Sequence, residues 1–293
     1  MPDARAARPK EAPRRIALVT CTEMPRADPD LCILQAAFAR RGTEAAIACW
    51  EDAAVDWTSF DAAVVRSTWN YVARLREFRE WLERVSAATR LVNPLPALLW
   101  NLHKRYLAEL AAEGLPVVPT TVVPHAVQPD WHELFARHGD LVLKPAISAG
   151  SFATVRVRAG DAAVAREHRA AHADRDMLVQ PLLRSVVEHG ETNMVHLGGA
   201  FSHAIHKGAR WDGQAEQSRG LVEPGADERD AALRILRAVE GRGLGTLAYA
   251  RVDLARGSDG APLLMELEIV EPSLFLDRAP ERAELLVDAV AGK

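Results

Sequence analysis

The chain of 293 residues is 48% hydrophobic and 26% charged, with a formal net charge of −4 and a pI near 6.2. This length predicts two or three packed domains, and the acidic balance argues against a surface that binds nucleic acid. No apolar run approaches the ~20 residues that a membrane-spanning helix needs. The cysteines follow no disulfide or metal-site spacing, which predicts reduced thiols in a cytoplasmic protein.

The first third of the chain alternates apolar strands with amphipathic helices. Residues 1–14, rich in Ala, Arg and Pro, predict a disordered tail without the apolar core of a signal peptide. Strands are then expected at 15–20, 45–50, 61–66 and 91–94, with helices at 29–41 and 75–85. This alternation predicts a parallel, Rossmann-like sheet, although the first turn lacks the Gly-x-Gly-x-x-Gly of a dinucleotide site.

The rest of the chain mixes strands and helices less regularly. A single helix is expected over 96–113, ended by Gly114. Further strands are expected up to 123 and at 140–145, 154–158, 177–183, 192–197, 200–206, 247–254 and 262–269. Helices are expected at 131–138, 162–171 and 227–240.

Three acidic residues near the end of the chain can converge on one face of a sheet. Glu266 and Glu268 are two residues apart on a strand and share a face, and Asp253 lies in the preceding strand. Three such carboxylates repel each other unless a cation lies among them, and oxygen ligands suit Mg²⁺. A half-exposed strand with ordinary surface charge explains the same pattern, and both interpretations stay open at this point.

Two lysines and two loops are candidates for contacts to a nucleotide. Lys144 ends an apolar strand before the small-residue loop Ser148-Ala149-Gly150-Ser151, whose backbone N–H groups can approach phosphate oxygens. Lys104 lies in a basic triplet on the predicted helix. In Gln180-Pro181-Leu182 the proline removes a backbone donor and indicates a sheet edge or hinge. Solvated lysines and an ordinary strand end are the plainer alternatives.

Polar and basic side chains elsewhere are candidates for substrate contacts. Arg66, Ser67 and Asn70 follow the carboxyl end of the third strand, where open α/β sheets bind ligands. A basic run suits an anionic substrate, and its members are His203, His206, Lys207, Arg210 and Arg219. The two histidines are not accompanied by other metal-ligating residues, which favours structural or substrate-facing roles over metal binding.

The order of these features along the chain resembles that of ATP-grasp enzymes. Residues Glu266 to Pro272 are similar to the metal-binding strand and following proline of bacterial glutathione synthetases, with Glu268 in place of the usual Asn. Residues 65–71, 190–192, 201–209 and 266–276 resemble, more narrowly, the subgroup that includes the O-ureido-D-serine cyclo-ligase of D-cycloserine biosynthesis. The resemblance covers nearly the whole chain after the tail.

The resemblance implies an α/β fold that becomes α+β in the C-terminal half. Residues 15–96 would form a Rossmann-like pre-ATP-grasp domain, and the central lid subdomain (97–183) and C-terminal subdomain (184–293) would sandwich a nucleotide. It further implies a carboxylate–nitrogen ligase that uses ATP and Mg²⁺ (one or two ions, replaceable by Mn²⁺). The substrate would be a small amino-acid-like molecule and form an acyl phosphate, and a homodimer is compatible with this assignment.

The resemblance also implies roles for individual residues. Lys104 and Lys144 would bind the nucleotide phosphates under a mobile loop formed by Ser148, Ala149, Gly150 and Ser151. Gln180, Pro181 and Leu182 would bind adenine, and Glu188 would bind the ribose. Asp253, Glu266 and Glu268 would hold magnesium. The side chains that would face the substrate carboxylate or acyl phosphate are Arg66, Ser67, Asn70, Lys207 and Arg251.

Two other functions remain open at the level of the sequence. A ligase of the same class could join two separate molecules instead of closing a ring within one. A nucleotide-binding protein without turnover is the alternative from another class, and the full set of acidic residues and lysines argues against it. The sequence lacks Gly-x-Ser-x-Gly and any Cys/His nucleophile pattern, so no covalent enzyme intermediate is expected.

Overall fold

The computed structural model describes residues 15–23, 28–209, 211 and 218–292. The predicted tail over 1–14 and Arg210 of the basic run lie outside these residues. Within them the strands form three sheets, and each sheet falls inside one of the three segments predicted from the sequence. None of the described helices is both long enough and apolar enough to cross a bilayer.

The N-terminal sheet is parallel, as predicted. Its strands β1 (Arg15–Thr20), β2 (Glu44–Cys49), β3 (Ala62–Ser67) and β4 (Arg90–Val92) lie in the order β2-β1-β3-β4. The connecting helices are α1 (Pro29–Arg40) and α2 (Leu75–Ala88). Helix α1 begins where the Asp28 carboxylate accepts a hydrogen bond from Asp30 N and Pro29 occupies the first turn, both common at helix N-termini.

The predicted helix over 96–113 is wrong in one respect. The described backbone has two helices there, α3 (Leu95–Asn101) and α4 (Tyr106–Ala112), with a break at 102–105. At the break, Lys104 N donates to Ala146 O at 2.8 Å instead of to a helical carbonyl. A contact 42 residues away in sequence ends the helix, and periodicity cannot reveal such a contact.

The central sheet is antiparallel, and two helices lie in the connections between its strands. Its strands β5 (Thr121–Val123), β6 (Leu141–Pro145), β7 (Val155–Val157) and β8 (Met177–Pro181) lie in the order β5-β8-β6-β7. Helices α5 (Trp131–His138) and α6 (Ala162–Ala171) have the predicted bounds. Trp131, Leu134 and Leu141 belong to the core between these helices and the sheet.

The C-terminal sheet is also antiparallel, in the order β11-β10-β9-β12-β13. Its strands are β9 (Glu191–Leu197), β10 (Ala200–Lys207), β11 (Ser218–Val222), β12 (Tyr249–Arg256) and β13 (Pro262–Glu268). The helices are α7 (Arg184–Glu188), α8 (Ala226–Gly241) and α9 (Ala283–Ala291). Elements α7, β11 and α9 were not predicted.

Packing crosses the predicted domain boundaries, and two sets of helices show this. Helices α3 and α4 share a hydrophobic core with the C-terminal sheet, and the Tyr106 hydroxyl donates to Leu267 O at 2.9 Å. Helix α9 instead packs against α1, where Glu284 forms ion pairs with Arg40 and Arg41 at 2.8 and 2.9 Å. The division at residue 96 therefore differs from the grouping of the elements by contact.

Candidate active site

A cavity of about 650 Å³ is lined by residues of all three sheets or their loops. Strands β12 and β13 of the C-terminal sheet contribute Arg251, Asp253, Glu266 and Glu268. The central sheet contributes Lys144 and the loop that follows it. Both lysines, the small-residue loop, the hinge and the acidic residues predicted from the sequence thus surround one space.

The register of β12 and β13 brings the acidic residues together as predicted. Asp253 pairs with Glu266 and Arg251 pairs with Glu268 across the antiparallel ladder. The Arg251 guanidinium donates from Nε to Asp253 Oδ1 and from Nη2 to Oδ2, each at 2.8 Å. The same Nη2 lies 2.6 Å from Glu268 Oε1. Arginine's planar fork suits this bidentate arrangement.

Cations of the chain itself lie among these carboxylates. Besides Arg251, Lys104 Nζ lies 3.2 Å from Glu266 Oε1. Burial would raise the pKa of Asp253, but Arg251 holds it below its usual value, and Lys104 does the same for Glu266. For Glu268, burial prevails over the attraction of Arg251 and raises the pKa to about 8. The last carboxylate to ionise in this group is therefore Glu268.

The acidic face fits magnesium only with oxygens from another source. Among the described residues, no three Asp, Glu, His or Cys side chains are close enough together to hold a metal ion. Mg²⁺ is commonly bound by one or two carboxylates together with substrate phosphates and water. Glu266, Glu268 and Asp253 offer such carboxylates on one face, and their role as magnesium ligands stays a prediction.

The two lysines line the cavity and are both buried. Lys104, at the break between α3 and α4, donates from Nζ to Ser148 O at 2.6 Å. Lys144 has no carboxylate within 4 Å among the residues with described positions, and burial lowers its pKa. A buried ammonium group without a paired anion is costly unless a ligand supplies the negative charge.

The small-residue loop borders the same side of the cavity. Ser148, Ala149, Gly150 and Ser151 all line it. Gly150 and Ser151 have left-handed backbone angles, with φ of 61° at each. Glycine takes this conformation readily, whereas the backbone of a serine is strained in it. Such strain is common in ligand-binding loops.

The hinge residues Gln180, Pro181 and Leu182 line the cavity as well. Gln180 Nε2 donates to Thr120 Oγ1 at 2.9 Å, which fixes that side chain. The Leu182 N–H already donates to Asp140 O at 2.8 Å. The next residue, Leu183, also lines the cavity, and its N–H has no acceptor in the described part of the chain.

Glu188, predicted to bind the ribose, does not line the cavity. It lies in the last turn of α7 with 62% of its side chain exposed. Glu191, at the start of β9, lines the cavity instead and lies 3.1 Å from Lys207 Nζ. Gly190 (φ 89°) allows this close turn, because a Cβ there would collide with the Lys207 carbonyl.

Arg66, Ser67 and Asn70 also lie outside the cavity, contrary to the prediction. Arg66 is 1% exposed, and its Nη2 donates to Pro272 O. Ser67 Oγ lies 2.9 Å from Thr20 Oγ1. Asn70 accepts from Trp50 Nε1 at 2.8 Å. For Arg66 the reason is that the segment 271–276 lies over the end of β3, where the Pro272 carbonyl accepts its hydrogen bond.

Residues 271–276 are held by side chains from distant parts of the chain. The Asp30 carboxylate accepts from Leu274 N at 2.7 Å and from Leu276 N at 2.8 Å. His203 Nε2 lies 2.8 Å from Leu274 O, which agrees with the structural one of the two roles that the sequence left open for it. Burial raises the pKa of Asp30 to about 6. Asp30 was missed because an acidic residue in a first helical turn is ordinary.

Some of the remaining basic residues line the cavity, and others lie outside it. Lys207 and Arg251 line the cavity, whereas Arg219 is exposed on β11 and does not. Glu271 is a cavity-lining carboxylate that the sequence reasoning also missed. Glu271 lies inside the segment Glu266 to Pro272, whose resemblance to glutathione synthetases could have identified it as a site residue.

Comparison with known proteins agrees with this geometry. The family model described as "D-cycloserine synthetase DcsG, N-terminal domain" matches residues 16–93. The cycloserine biosynthesis protein DcsG of Streptomyces lavendulae is 38% identical over 291 residues, which span 94% of this chain and 97% of that protein.

Solved structures give the same result at the level of the fold. The crystal structure of D-cycloserine synthetase DcsG matches with a TM-score of 0.87 and 36% identity, over 95% of this chain and 99% of that chain. The ATP-grasp ligase PsnB, in a complex with a phosphomimetic variant of its minimal precursor, Mg and ADP, matches with a TM-score of 0.62 and 20% identity, over 94% and 97% of the two chains. The predicted ATP-grasp fold is therefore confirmed.

Proposed function

The chain belongs to the D-cycloserine synthetase family of ATP-grasp ligases, and from this premise we propose that it converts O-ureido-D-serine to D-cycloserine. Its class, an ATP-dependent ligase, follows from the family. The substrate and the closure of a ring within one molecule are the proposed part. They are supported by the relative's role in cycloserine biosynthesis and by a cavity that combines two buried lysines with an Arg251-centred acidic face.

The proposed reaction has three steps. One carboxylate oxygen of the substrate attacks the γ-phosphorus of ATP, which forms an acyl phosphate and releases ADP. The ureido nitrogen bonded to oxygen then attacks the acyl carbon and phosphate leaves, which closes a five-membered ring. The carbamoyl group is lost with one water as carbon dioxide and ammonia, so atoms balance without an oxidant or reductant.

The residues of the cavity suit the charges of this reaction. Lys104 and Lys144 would bind oxygens of the nucleotide phosphates, and Arg251 and Lys207 would face the substrate carboxylate or acyl phosphate. Such preorganised cations provide most of the catalysis in phosphoryl transfer. Residues 148–151 would act as a mobile loop that closes over the phosphates and keeps water from the acyl phosphate.

The adenine base would bind at the hinge, and the metal would bind at the acidic face of the cavity. Backbone groups of Gln180 and Leu183 would bind adenine at the hinge. Asp253, Glu266 and Glu268 would hold one or two Mg²⁺ ions, or Mn²⁺ in their place. A bound ion would neutralise charge on the transferring phosphoryl group. A homodimer is a further expectation, which size-exclusion chromatography with light scattering would test.

A screen for ADP release tests the substrate directly. ADP release is measured over D- and L-amino acids, including O-ureido-D-serine, with and without an added amine acceptor. We expect ADP release with O-ureido-D-serine alone and no increase on adding an amine. Release that requires an added amine would identify an intermolecular ligase, and ATP binding without any release would identify a nucleotide-binding protein.

A further inference from the structure

Unlike Asp253, Glu266 and Glu268, the cavity-lining Glu271 has no ion-pair partner among the residues that the structure describes. Glu266 pairs with Lys104, while Asp253 and Glu268 pair with Arg251, at 2.6 to 3.2 Å. Glu271 lines the same cavity three residues beyond β13, yet no Lys, Arg or His of the described ranges lies within 4 Å of its carboxylate. Its side chain interacts with the Tyr71 hydroxyl.

The position of Glu271 is fixed from both sides. Its carbonyl accepts a hydrogen bond from Trp69 Nε1 at 3.0 Å. The next carbonyl, that of Pro272, accepts from the buried Arg66. These two contacts hold the backbone at successive residues, and the Tyr71 hydroxyl contacts the carboxylate itself.

The surroundings of Glu271 favour an organic cation over a metal ion. Trp69, Tyr71 and Phe275 line the cavity together with it, and aromatic faces attract ammonium groups. Mg²⁺ requires a near-octahedral set of oxygens. The carboxylates predicted to hold Mg²⁺ in this cavity are Asp253, Glu266 and Glu268, which leaves Glu271 for another ligand.

We propose that Glu271 binds the α-ammonium group of the substrate, so that the enzyme selects zwitterionic α-amino acids over analogues without an amino group. This inference rests on the proposed function. The ammonium and carboxylate of an α-amino acid are attached to one carbon, so the ammonium must bind close to the reacting carboxylate. Arg251 and Lys104 line the cavity near enough to influence the charge of Glu271.

The electrostatics of the ligand-free cavity agree with this role. Burial raises the pKa of Glu271 to about 7, against the opposing effects of Lys104 and Tyr71. A carboxylate in such a place gains most from a cationic ligand, because the ligand restores the stabilisation that solvent gave it. A neutral amide at the same position would lose this attraction while keeping the size of the side chain.

The test compares O-ureido-D-serine with its desamino analogue, 3-(ureidooxy)propanoate. Wild-type, Glu271→Gln and Glu281→Gln proteins are assayed for ADP release and, by calorimetry with ADP and Mg²⁺ present, for binding of each compound. Glu281→Gln is the matched control, since Glu281 is exposed and lies outside the cavity. Circular dichroism melting checks that each variant is folded.

We expect the wild-type preference for the amino compound to fall by at least about tenfold in Glu271→Gln and to be unchanged in Glu281→Gln. An unchanged preference in Glu271→Gln would overturn the inference. If Glu271→Gln changes only the Mg²⁺ concentration that gives half-maximal ADP release, the inference is also overturned and Glu271 is assigned to the metal. If the wild type releases no ADP, the proposed substrate fails, and the calorimetric preference still decides the role of Glu271.

Discussion

Lys144 ends β6 inside the cavity with its ammonium group buried. Lys144→Met should lower kcat/KM for ATP by roughly 10- to 100-fold, the value of a hydrogen bond to a charged group. The ligand-free variant should be at least as stable as the wild type, because a buried cation without an ion-pair partner is removed. ADP release and thermal unfolding, each with and without an ATP analogue, measure the two effects.

Arg156→Met provides the control for Lys144→Met. Arg156 lies on the adjacent strand β7, is partly exposed and pairs with Asp140 outside the cavity. That variant should keep wild-type ATP kinetics. If Lys144→Met also keeps them, Lys144 does not contact the nucleotide.

Glu268 is expected to act on magnesium. Glu268→Gln should raise the Mg²⁺ concentration for half-maximal ADP release by at least roughly tenfold, the loss seen even for outer-shell changes at metal sites. Only the ionised carboxylate binds Mg²⁺ well, and the pKa of Glu268 is raised to about 8. In the wild type, apparent Mg²⁺ affinity should therefore rise with pH up to about 8.

The pH profile separates a metal ligand from a structural one. Glu268→Gln should lack the rise in Mg²⁺ affinity, since its amide does not titrate. A variant with the wild-type activation constant and the same pH profile would remove Glu268 from the metal site.

At the level of single residues, chain order was enough to single out a set of residues that share one cavity, while their roles stay predictions. Lys104, Lys144, Asp253 and Glu266 could be found because they recur in a fixed order, and the structure places all of them around one cavity. The sequence could not reveal that Arg66 is buried, because its partner is the carbonyl of Pro272, 206 residues later in the chain. A side chain at the end of a strand faces a ligand only if no other segment covers it.

Among the elements, β3 and α1 are joined by a buried charge pair, and both of its side chains also hydrogen-bond to the backbone of residues 271–276. Arg66 Nη2 lies 3.6 Å from Asp30 Oδ2, and both side chains are at most 2% exposed. Arg66→Met would leave Asp30 unpaired and should lower the free energy of unfolding by about 3 kcal/mol, as for other broken buried pairs. Urea denaturation measures this change.

The same variant should also lose activity, because residues 271–276 line the cavity through Glu271, Ser273 and Phe275. Arg74→Met, which changes an exposed arginine paired with Glu77, should remain close to the wild type in both respects. Wild-type stability together with a raised KM for the amino-acid substrate would instead make Arg66 a substrate ligand.

The elements that the sequence did not reveal have different causes. Strand β11 begins Ser218-Arg219-Gly220, without the apolar alternation that predicts a strand. The apolar residues of α9, including Leu286, Val287 and Val290, have helical spacing, so this helix could have been predicted. The break between α3 and α4 depends on the Lys104 to Ala146 hydrogen bond, which is a tertiary contact.

For the molecule as a whole, the parallel N-terminal sheet and the acidic strand pair followed from local patterns. The grouping of the elements did not, because α3 and α4 pack on the C-terminal sheet and α9 packs on the N-terminal domain. These contacts join segments that are far apart in sequence. They also position the cavity, since Lys104 reaches it from the break between α3 and α4.

The central claim is that the substrate carboxylate is activated by phosphorylation in this cavity. O-ureido-D-serine labelled with ¹⁸O in its carboxylate is incubated with the enzyme, ATP and Mg²⁺, and the inorganic phosphate is analysed by mass spectrometry. We expect one ¹⁸O atom in each phosphate, because the acyl oxygen leaves with phosphorus when nitrogen attacks the acyl carbon. Phosphate free of the label, formed alongside ADP, would contradict the account.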